Sequence, residues 1–523
     1  MPIKLNKEET TMRNELIFAA DAKAVNIDNT LVNLFMLLNH NGIRPKMRPT
    51  DEAKSAFDID RIKRNFFILE EMGEVSGFKD NPDAVEWWIR TNLINLVNRG
   101  KHDEEKLSAL RPIHLESYKV RNPHHARDYF TADQVYFMLG INSKVKEDLK
   151  KFLSEGWDKN SGKILNNNQL DIDSLGILHL VKNIKPGFLE SQTNINRIKP
   201  ILDKQSILFC EDVEKLLVYH TERLIPRNVL IDYLKTLISF HLSLYLQKLI
   251  HFLPVMVNNG EADFNDDWNI VVDATDSYES KVSSISIGDS ETLYNKIYDY
   301  VKATFQINAA LRYLGLDKNN SENLEKALYI LKNKPTDFEV YFKTRWHDIV
   351  NNLDDDDKDL ISDIDEYDDS YFEKYIEFLI KVRGGYQYRF HTQLIDNLSQ
   401  KNTERGILTQ GRSKKHPRRF IIGTRLLETL VQILVLDTKD GRFVTRSMSI
   451  DELTTSLRNK YGLIINGLDE SRFKNANIET HLAFKENLDA FKTKLRQIGF
   501  YNDLSDAYIL QRVRPRYEIA ETL

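Results

Sequence analysis

The chain has 523 residues, a formal net charge of −5, 41% hydrophobic and 10% aromatic residues. It is too long for one simple core and too apolar for disorder, so a globular protein of about two to four domains is predicted. One cysteine, Cys210, excludes an internal disulfide and thiolate-rich zinc sites, and 21 glycines and 13 prolines are few enough to favour long helices.

The N-terminal stretch MPIKLNKEETTMRNE lacks the apolar core of a signal peptide. Residues 81–100, NPDAVEWWIRTNLINLVNRG, read as one helix, with Pro82 in its first turn and Gly100 just past its end. Val85, Trp88, Ile89, Leu93, Leu96 and Val97 form its apolar face. Thr131 is predicted to cap the next helix and Asn142 or Ser143 the one after, while 156–171 reads as a polar loop. Helices over roughly 207–224 and 228–251 flank Pro226, which disfavours helical backbone at Ile225. Residues 226–257 are the most apolar long segment. Arg227, Asp232, Lys235 and Lys248 interrupt them, so the spacing predicts a buried central helix rather than a bilayer span. A cytoplasmic protein, with Cys210 a small buried hydrophobe, is the expectation.

Residues 261–290 change character. Asn269 to Val272 is a short β-branched run ending at Asp273, which predicts one or two strands. Helices then resume to about 400, with an acidic linker or rim at 354–369. Residues 353–373 hold eleven acids and one lysine. The following stretch, KNTERGILTQGRSKKHPRRF (401–420), holds seven lysines and arginines and one acid, Glu404. Gly406, Gly411 and Pro417 break it into a loop or hairpin.

From 423 the pattern is clearest. Thr424 is predicted to cap a helix whose Leu426, Leu427, Leu430, Ile433 and Leu434 share one face. A Lys-Asp-Gly turn, a short strand RFVTR and a helix follow, the helix opened by the Ser449/Glu452 capping box and closed by Gly462. A third helix carries Leu488, Phe491, Leu495 and Ile498, Gly499 ends it, and two β-compatible runs complete the chain. Helix, strand, helix, helix, hairpin is the order of a winged helix, a variant of the helix-turn-helix. The fold expected is therefore mainly α and multi-domain. It comprises a helical domain at 1–260, a mixed then helical domain at 261–400 with a small strand-containing segment, a basic arm at 401–422, and a winged-helix domain at 423–523.

No phosphate-binding glycine loop, dinucleotide fingerprint, zinc-protease or hydrolase-elbow motif occurs. Asp273, Glu279 and Lys281 have the residue types of a metal-dependent nuclease, in which two acids hold a divalent ion and a lysine steadies the transition state; ordinary turn and cap residues are the stronger reading. His124 and His125 are adjacent and point apart on a helix, which favours a polar loop over a metal pair. The segment DKNSG (158–162) lacks the ligands a calcium loop needs. No metal or cofactor is expected.

The cations that could meet phosphates are Arg405, Arg412, Lys414, Lys415, Arg418 and Arg419 in the basic arm. To these the module adds Lys492 and Arg496 in its third helix and Arg512, Arg514 and Arg516 in its last hairpin. Against this stands a solvated loop balanced by the acids at 354–369. The segments KNTERGILTQGRSKKHPRRFIIGTRLLETLVQILVL, FVTRSMSIDELTTSLRNKYGL and LRQIGFYNDLSDAYILQRVRPRY resemble the C-terminal part of accessory proteins in bacterial antiphage systems linked to DNA modification. The settings are phosphorothioation-dependent restriction and methylation-associated defence. The resemblance implies a multi-subunit machine in which the ATPase and nuclease are separate polypeptides. The expectation is a non-enzymatic accessory subunit that binds DNA and bridges it to those partners, away from membranes. The alternatives are a protein-binding winged-helix scaffold of a chromosome-organising type of complex, and a metal-dependent nuclease.

Overall fold

The computed structural model describes residues 7–48, 59–98, 105–165, 170–182, 184, 187–196, 198–264, 267–351, 361, 364, 370–413, 415–501 and 512–520. The fold is mainly α, and every sheet among the described residues has only two strands. The chain forms two compact units. The first comprises Met1–Ala24, Arg197–Leu208 and Thr236–Leu523, the second Val25–Asn196 and Phe209–Lys235.

In the second unit, one core gathers Ile62, Phe66, Ile89, Leu93, Ile94, Leu110 and Ile177. Trp88 packs edge-on to Phe66 at 5.2 Å and donates its indole N–H to Asp173 Oδ1 at 2.6 Å. The helix expected over 81–100 stops early. Pro82–Trp88 is α-helical, Ile89–Leu93 is one wide π turn, and Ile94–Asn98 is a strand paired antiparallel to Glu105–Leu110. Ile94 and Leu110 pair directly and are both buried, so a strand partner overrides helical spacing here. Thr131 is the first residue of its helix rather than the cap; Asp128 Oδ2 accepts the Ala132 N–H at 3.2 Å instead. Asn142 does cap Ser143–Leu153, accepting from Val145 N–H. Residues 157–164 contain a small hairpin, Trp157–Asp158 with Lys163–Ile164. Asp158 accepts from Asn160 N–H and Ser161 Oγ, so the DKNSG segment is its turn.

The helices Asp203–Thr221 and Arg227–Asn259 bracket Pro226, and the second runs on through Pro254. That helix is long and apolar enough to cross a membrane, yet 83% of its most apolar window is buried inside the protein. Arg227 at its start is buried and donates to the carbonyls of Ile113, Phe152 and Leu153, which keeps its charge tolerable. Cys210 is a free, buried thiol.

The first unit contains the helices Lys281–Asn295, Ile297–Tyr313, Glu322–Lys332, Thr336–Asn351 and Tyr371–Leu398. Phe338, Phe342, Phe372 and Tyr375 interlock at centroid distances of 4.9 to 5.4 Å. Of the acidic block 354–369, only Ile361 and Ile364 lie within the described residues. Both are buried against Trp346 and Phe378.

After residue 423 the helices Thr424–Leu434, Ile450–Tyr461 and Ile478–Gln497 appear in the expected order. The residues expected on the apolar face of the first, Leu426, Leu427, Leu430, Ile433 and Leu434, are buried, as is Val431, each contributing about 1.5–3 kcal/mol of transfer free energy. Thr424 is not its cap: Gly423 precedes it with no side-chain bond, and the Glu404 carbonyl accepts the Arg425 N–H at 2.9 Å and the Leu426 N–H at 3.2 Å. The Lys-Asp-Gly turn joins Leu436–Lys439 to Arg442–Thr445, with Asp440 and Gly441 both left-handed as a two-residue hairpin loop requires. The Ser449/Glu452 capping box and the left-handed Gly462 are both present. Met448–Ser449 pairs antiparallel with Arg512–Val513, and Val513 also bridges Tyr501. The rest of the final hairpin, 502–511, lies outside the described residues.

Candidate nucleic-acid interface

The β-branched run Ile270, Val271, Val272 is buried and acts as a short spine. On one side it pairs in parallel with Leu463–Ile464; Ile270 N–H donates to Gly462 O and Val272 N–H to Ile464 O, both at 2.9 Å. Where that pairing ends, Asp273 N–H donates to Phe420 O at 2.9 Å and Asp273 bridges Ile421 in parallel. The spine thus joins the basic segment to the last part of the chain. Asn487, fully buried on the helix Ile478–Gln497, fastens the joint. It donates to Val272 O at 2.9 Å and to Ile465 O at 2.8 Å, and accepts from Ala274 N–H at 2.7 Å. Three backbone groups are satisfied by one amide, which fixes the helix on the spine.

The basic segment is anchored at its base. Arg419, on the strand Arg419–Phe420, is buried; its Nε lies 3.3 Å from Asp273 Oδ2 and its Nη1 donates to Ser283 Oγ at 3.0 Å. Its guanidinium lies 3.8 Å over the Tyr278 ring. Tyr278 in turn stacks on His416 at 4.4 Å, and its hydroxyl accepts from Gly411 N–H at 3.0 Å. Ser286, on the helix Lys281–Asn295, both accepts from Phe420 N–H and donates to Phe420 O.

A second anchor is Asp396. Arg418 grips it bidentately, with both contacts at 2.9 Å, Tyr294 donates its hydroxyl at 2.7 Å, and Lys401 completes the cluster. Burial alone would raise the Asp396 carboxyl, but the bonds from Arg418, Lys401 and Tyr294 overcome it and hold the group below the ordinary carboxylate range. The same contacts raise the Arg418 guanidinium, and burial with the nearby carboxylate pushes the Tyr294 phenol well up.

The eleven cations named from the sequence therefore divide. Arg418 and Arg419 hold the loop down. Arg412 and Lys415 are exposed toward its tip, Arg405 is exposed on the preceding turn, and Lys414 lies outside the described residues. In the third helix Lys492 pairs with Asp489 at 3.2 Å, while Arg496 is exposed with its guanidinium 5.3 Å over Tyr501. Arg512 and Arg514 are exposed; Arg516 is also exposed but pairs with Glu428 and donates to Ile498 O at 2.6 Å. Sequence reading passed over Tyr278, Asp396 and Asn487. Asn487 had a signal: it is the one polar member of the helical series Phe484, Asn487, Phe491, Leu495.

The three residues of the nuclease alternative are not alike in setting. Asp273 is fully buried; Oδ1 accepts from Thr275 N–H at 2.8 Å and Thr275 Oγ1 at 2.6 Å, and Oδ2 faces Arg419. Glu279 and Lys281 are exposed, Lys281 as the first residue of its helix. His124 is exposed in a turn where Asn122 Oδ1 accepts its N–H. No group of three or more metal-ligating side chains gathers among the described residues.

Residues 7–517 match the family model of the methylation-associated defense system protein MAD7, and the chain belongs to that family. Comparison with curated proteins and with solved structures returned no match.

Proposed function

We propose that this defence-system protein is a non-enzymatic, DNA-binding subunit that bridges duplex DNA to ATPase or nuclease partners of an antiphage complex in the cytoplasm. The observation that carries the reading is the anchored loop. Arg418, Arg419 and Lys401 are neutralised at its base, so the exposed Arg412 and Lys415 are held out on a fixed platform. Cations fixed in this way lose little entropy on meeting phosphates. The C-terminal elements support a winged helix as the neighbouring module, through their order and the pairing of Met448–Ser449 with Arg512–Val513. Arg512 and Arg514, exposed beside that pairing, would add phosphate contacts. Titration of duplex DNA of arbitrary sequence at two salt concentrations tests the proposal: wild type binds, and the double variant Arg412→Ala/Lys415→Ala binds more weakly.

One observation favours the scaffold reading. Ile478 and Leu482, one turn apart on the third helix, are 75% and 55% exposed. A module that binds protein through that helix would lose partner capture in Ile478→Asp, while its DNA affinity stayed at wild-type level.

A further inference from the structure

The helix Tyr371–Leu398 carries KVRGGYQYRFH at 381–391. Arg383, Tyr386, Tyr388 and Arg389 on this run are exposed. Gly385 leaves the surface between Arg383 and Tyr386 bare, since a Cβ there would meet nothing within 4 Å, whereas Gly384 is buried against Ile380. Exposed aromatics interleaved with arginines are the surface on which unpaired bases stack and their phosphates are neutralised.

The same helix walls a half-open cavity of about 200 Å³, lined elsewhere by residues 10–14, Ile17, Phe18, residues 20–23, Tyr300 and Thr304. Phe18, Tyr300 and Tyr386 give it aromatic sides. Two lining groups have unspent hydrogen-bonding capacity. Gln387 is 9% exposed and its amide has no partner among the described residues. His391 donates Nδ1–H to Gln387 O at 2.8 Å, which leaves Nε2 as an acceptor. Burial brings the imidazole down to about 4, so it stays neutral near pH 7. Lys23 sits at the rim, 3.8 Å from the centre of the Phe390 ring and bonded to the Tyr386 hydroxyl.

The cavity is smaller than the roughly 300–1,000 Å³ typical of pockets for drug-sized ligands, which selects one planar ring system. A donor-and-acceptor amide beside a neutral imidazole acceptor matches the mixed edge of a nucleobase, not an anion. Arg13, Asp21 and Lys23 also line the cavity, Arg13 being paired with Glu15 at 2.7 Å; Lys23, with the exposed Arg383 and Arg389 beyond the lining, would meet the phosphates.

We propose that this cavity takes a single nucleobase of a nucleotide, stacked on Tyr386 and read by Gln387 and His391, with Lys23, Arg383 and Arg389 at its phosphates. The nucleotide could arrive free or within an unpaired strand. The site is separate from the loop at 401–419 and does not depend on duplex binding there.

Calorimetric titration of the full chain with each of the four nucleoside monophosphates, and with a mixed-sequence single-stranded oligonucleotide, tests this. Binding of at least one monophosphate points to a free nucleotide; binding of the oligonucleotide alone points to a base held in a strand. In either case Tyr386→Ala, an exposed site where folding is not at stake, weakens binding about fivefold or more. Gln387→Leu weakens it by a similar factor and changes which base is preferred; Arg412→Ala/Lys415→Ala leaves the monophosphate affinity unchanged, and the oligonucleotide, whose phosphates can also meet that loop, is compared in the Arg412→Ala/Lys415→Ala background. Wild-type protein that binds none of these probes at low salt overturns the proposal, as does binding that Tyr386→Ala and Gln387→Leu leave intact.

Discussion

Arg419 Nε lies 3.3 Å from Asp273 Oδ2, and the two side chains are 4% and 0% exposed. The pair closes the end of the Ile270–Asp273 spine against the basic segment. Removing one member leaves a buried charge without its partner, at a cost of about 3–5 kcal/mol. Asp273→Ala is therefore expected to lower the denaturant midpoint strongly, with wild-type stability in the exposed variants Glu279→Ala and Lys281→Ala. The same two exposed variants test the nuclease alternative. Plasmid nicking by wild type with magnesium or manganese, lost in Glu279→Ala, would overturn the non-enzymatic reading.

Asp396 gives an acid-range prediction. Its folded carboxyl is held below its ordinary value, so its contribution is fully present above the unfolded pKa and is lost as pH falls through the folded one. Asp396→Asn should lose stability at neutral pH and show a smaller further loss in acid below about pH 4. Chemical denaturation at pH 7 and at pH 3 reads the difference.

The two exposed cations at the loop tip set the salt dependence. Each phosphate neutralised contributes about 0.9 to the slope of log affinity against log salt, so Arg412→Ala/Lys415→Ala should reduce that slope by roughly 2. The thermal midpoint should not move, because neither residue lies among the anchoring contacts. An unchanged slope would remove the loop tip from the interface.

Gly423 is held by space rather than by backbone conformation, since its φ is −69°. A Cβ there would come 2.3 Å from Glu404 O, the carbonyl that caps the following helix. Gly423→Ala should destabilise by about 1–3 kcal/mol and loosen the basic loop. Hydrogen exchange at Arg425 and Leu426 would rise with it.

Two buried histidines predict a second pH effect. Burial takes His114 down to about 3 and His391 to about 4, whereas their unfolded forms titrate near 6.5. The unfolded chain takes up these protons first, so stability should fall as pH drops from about 6.5 to about 4. His114→Asn/His391→Asn should flatten that part of the stability profile; an unaltered slope would show that these groups are not its source.

Local chemistry settled a good deal before any fold was known. The Ser449/Glu452 box, Gly462, the Lys-Asp-Gly turn and the face Leu426, Leu427, Leu430, Ile433, Leu434 each depend on neighbours within a few residues, and each is found where spacing places it. The mainly helical class followed from the same periodicities. Long-range pairing decided the rest. Ile94–Asn98 is a strand because Glu105–Leu110 lies beside it. Thr424 is no cap because a carbonyl from the basic loop reaches the helix first. Above all, the sequence presented seven cations at 401–419 as equivalents. Only tertiary contacts sorted them: Asp396 and Asp273 take Lys401, Arg418 and Arg419, and leave Arg412 and Lys415 to solvent. Burial of a charge depends on partners distant in the chain, and composition records the charge but not the partner.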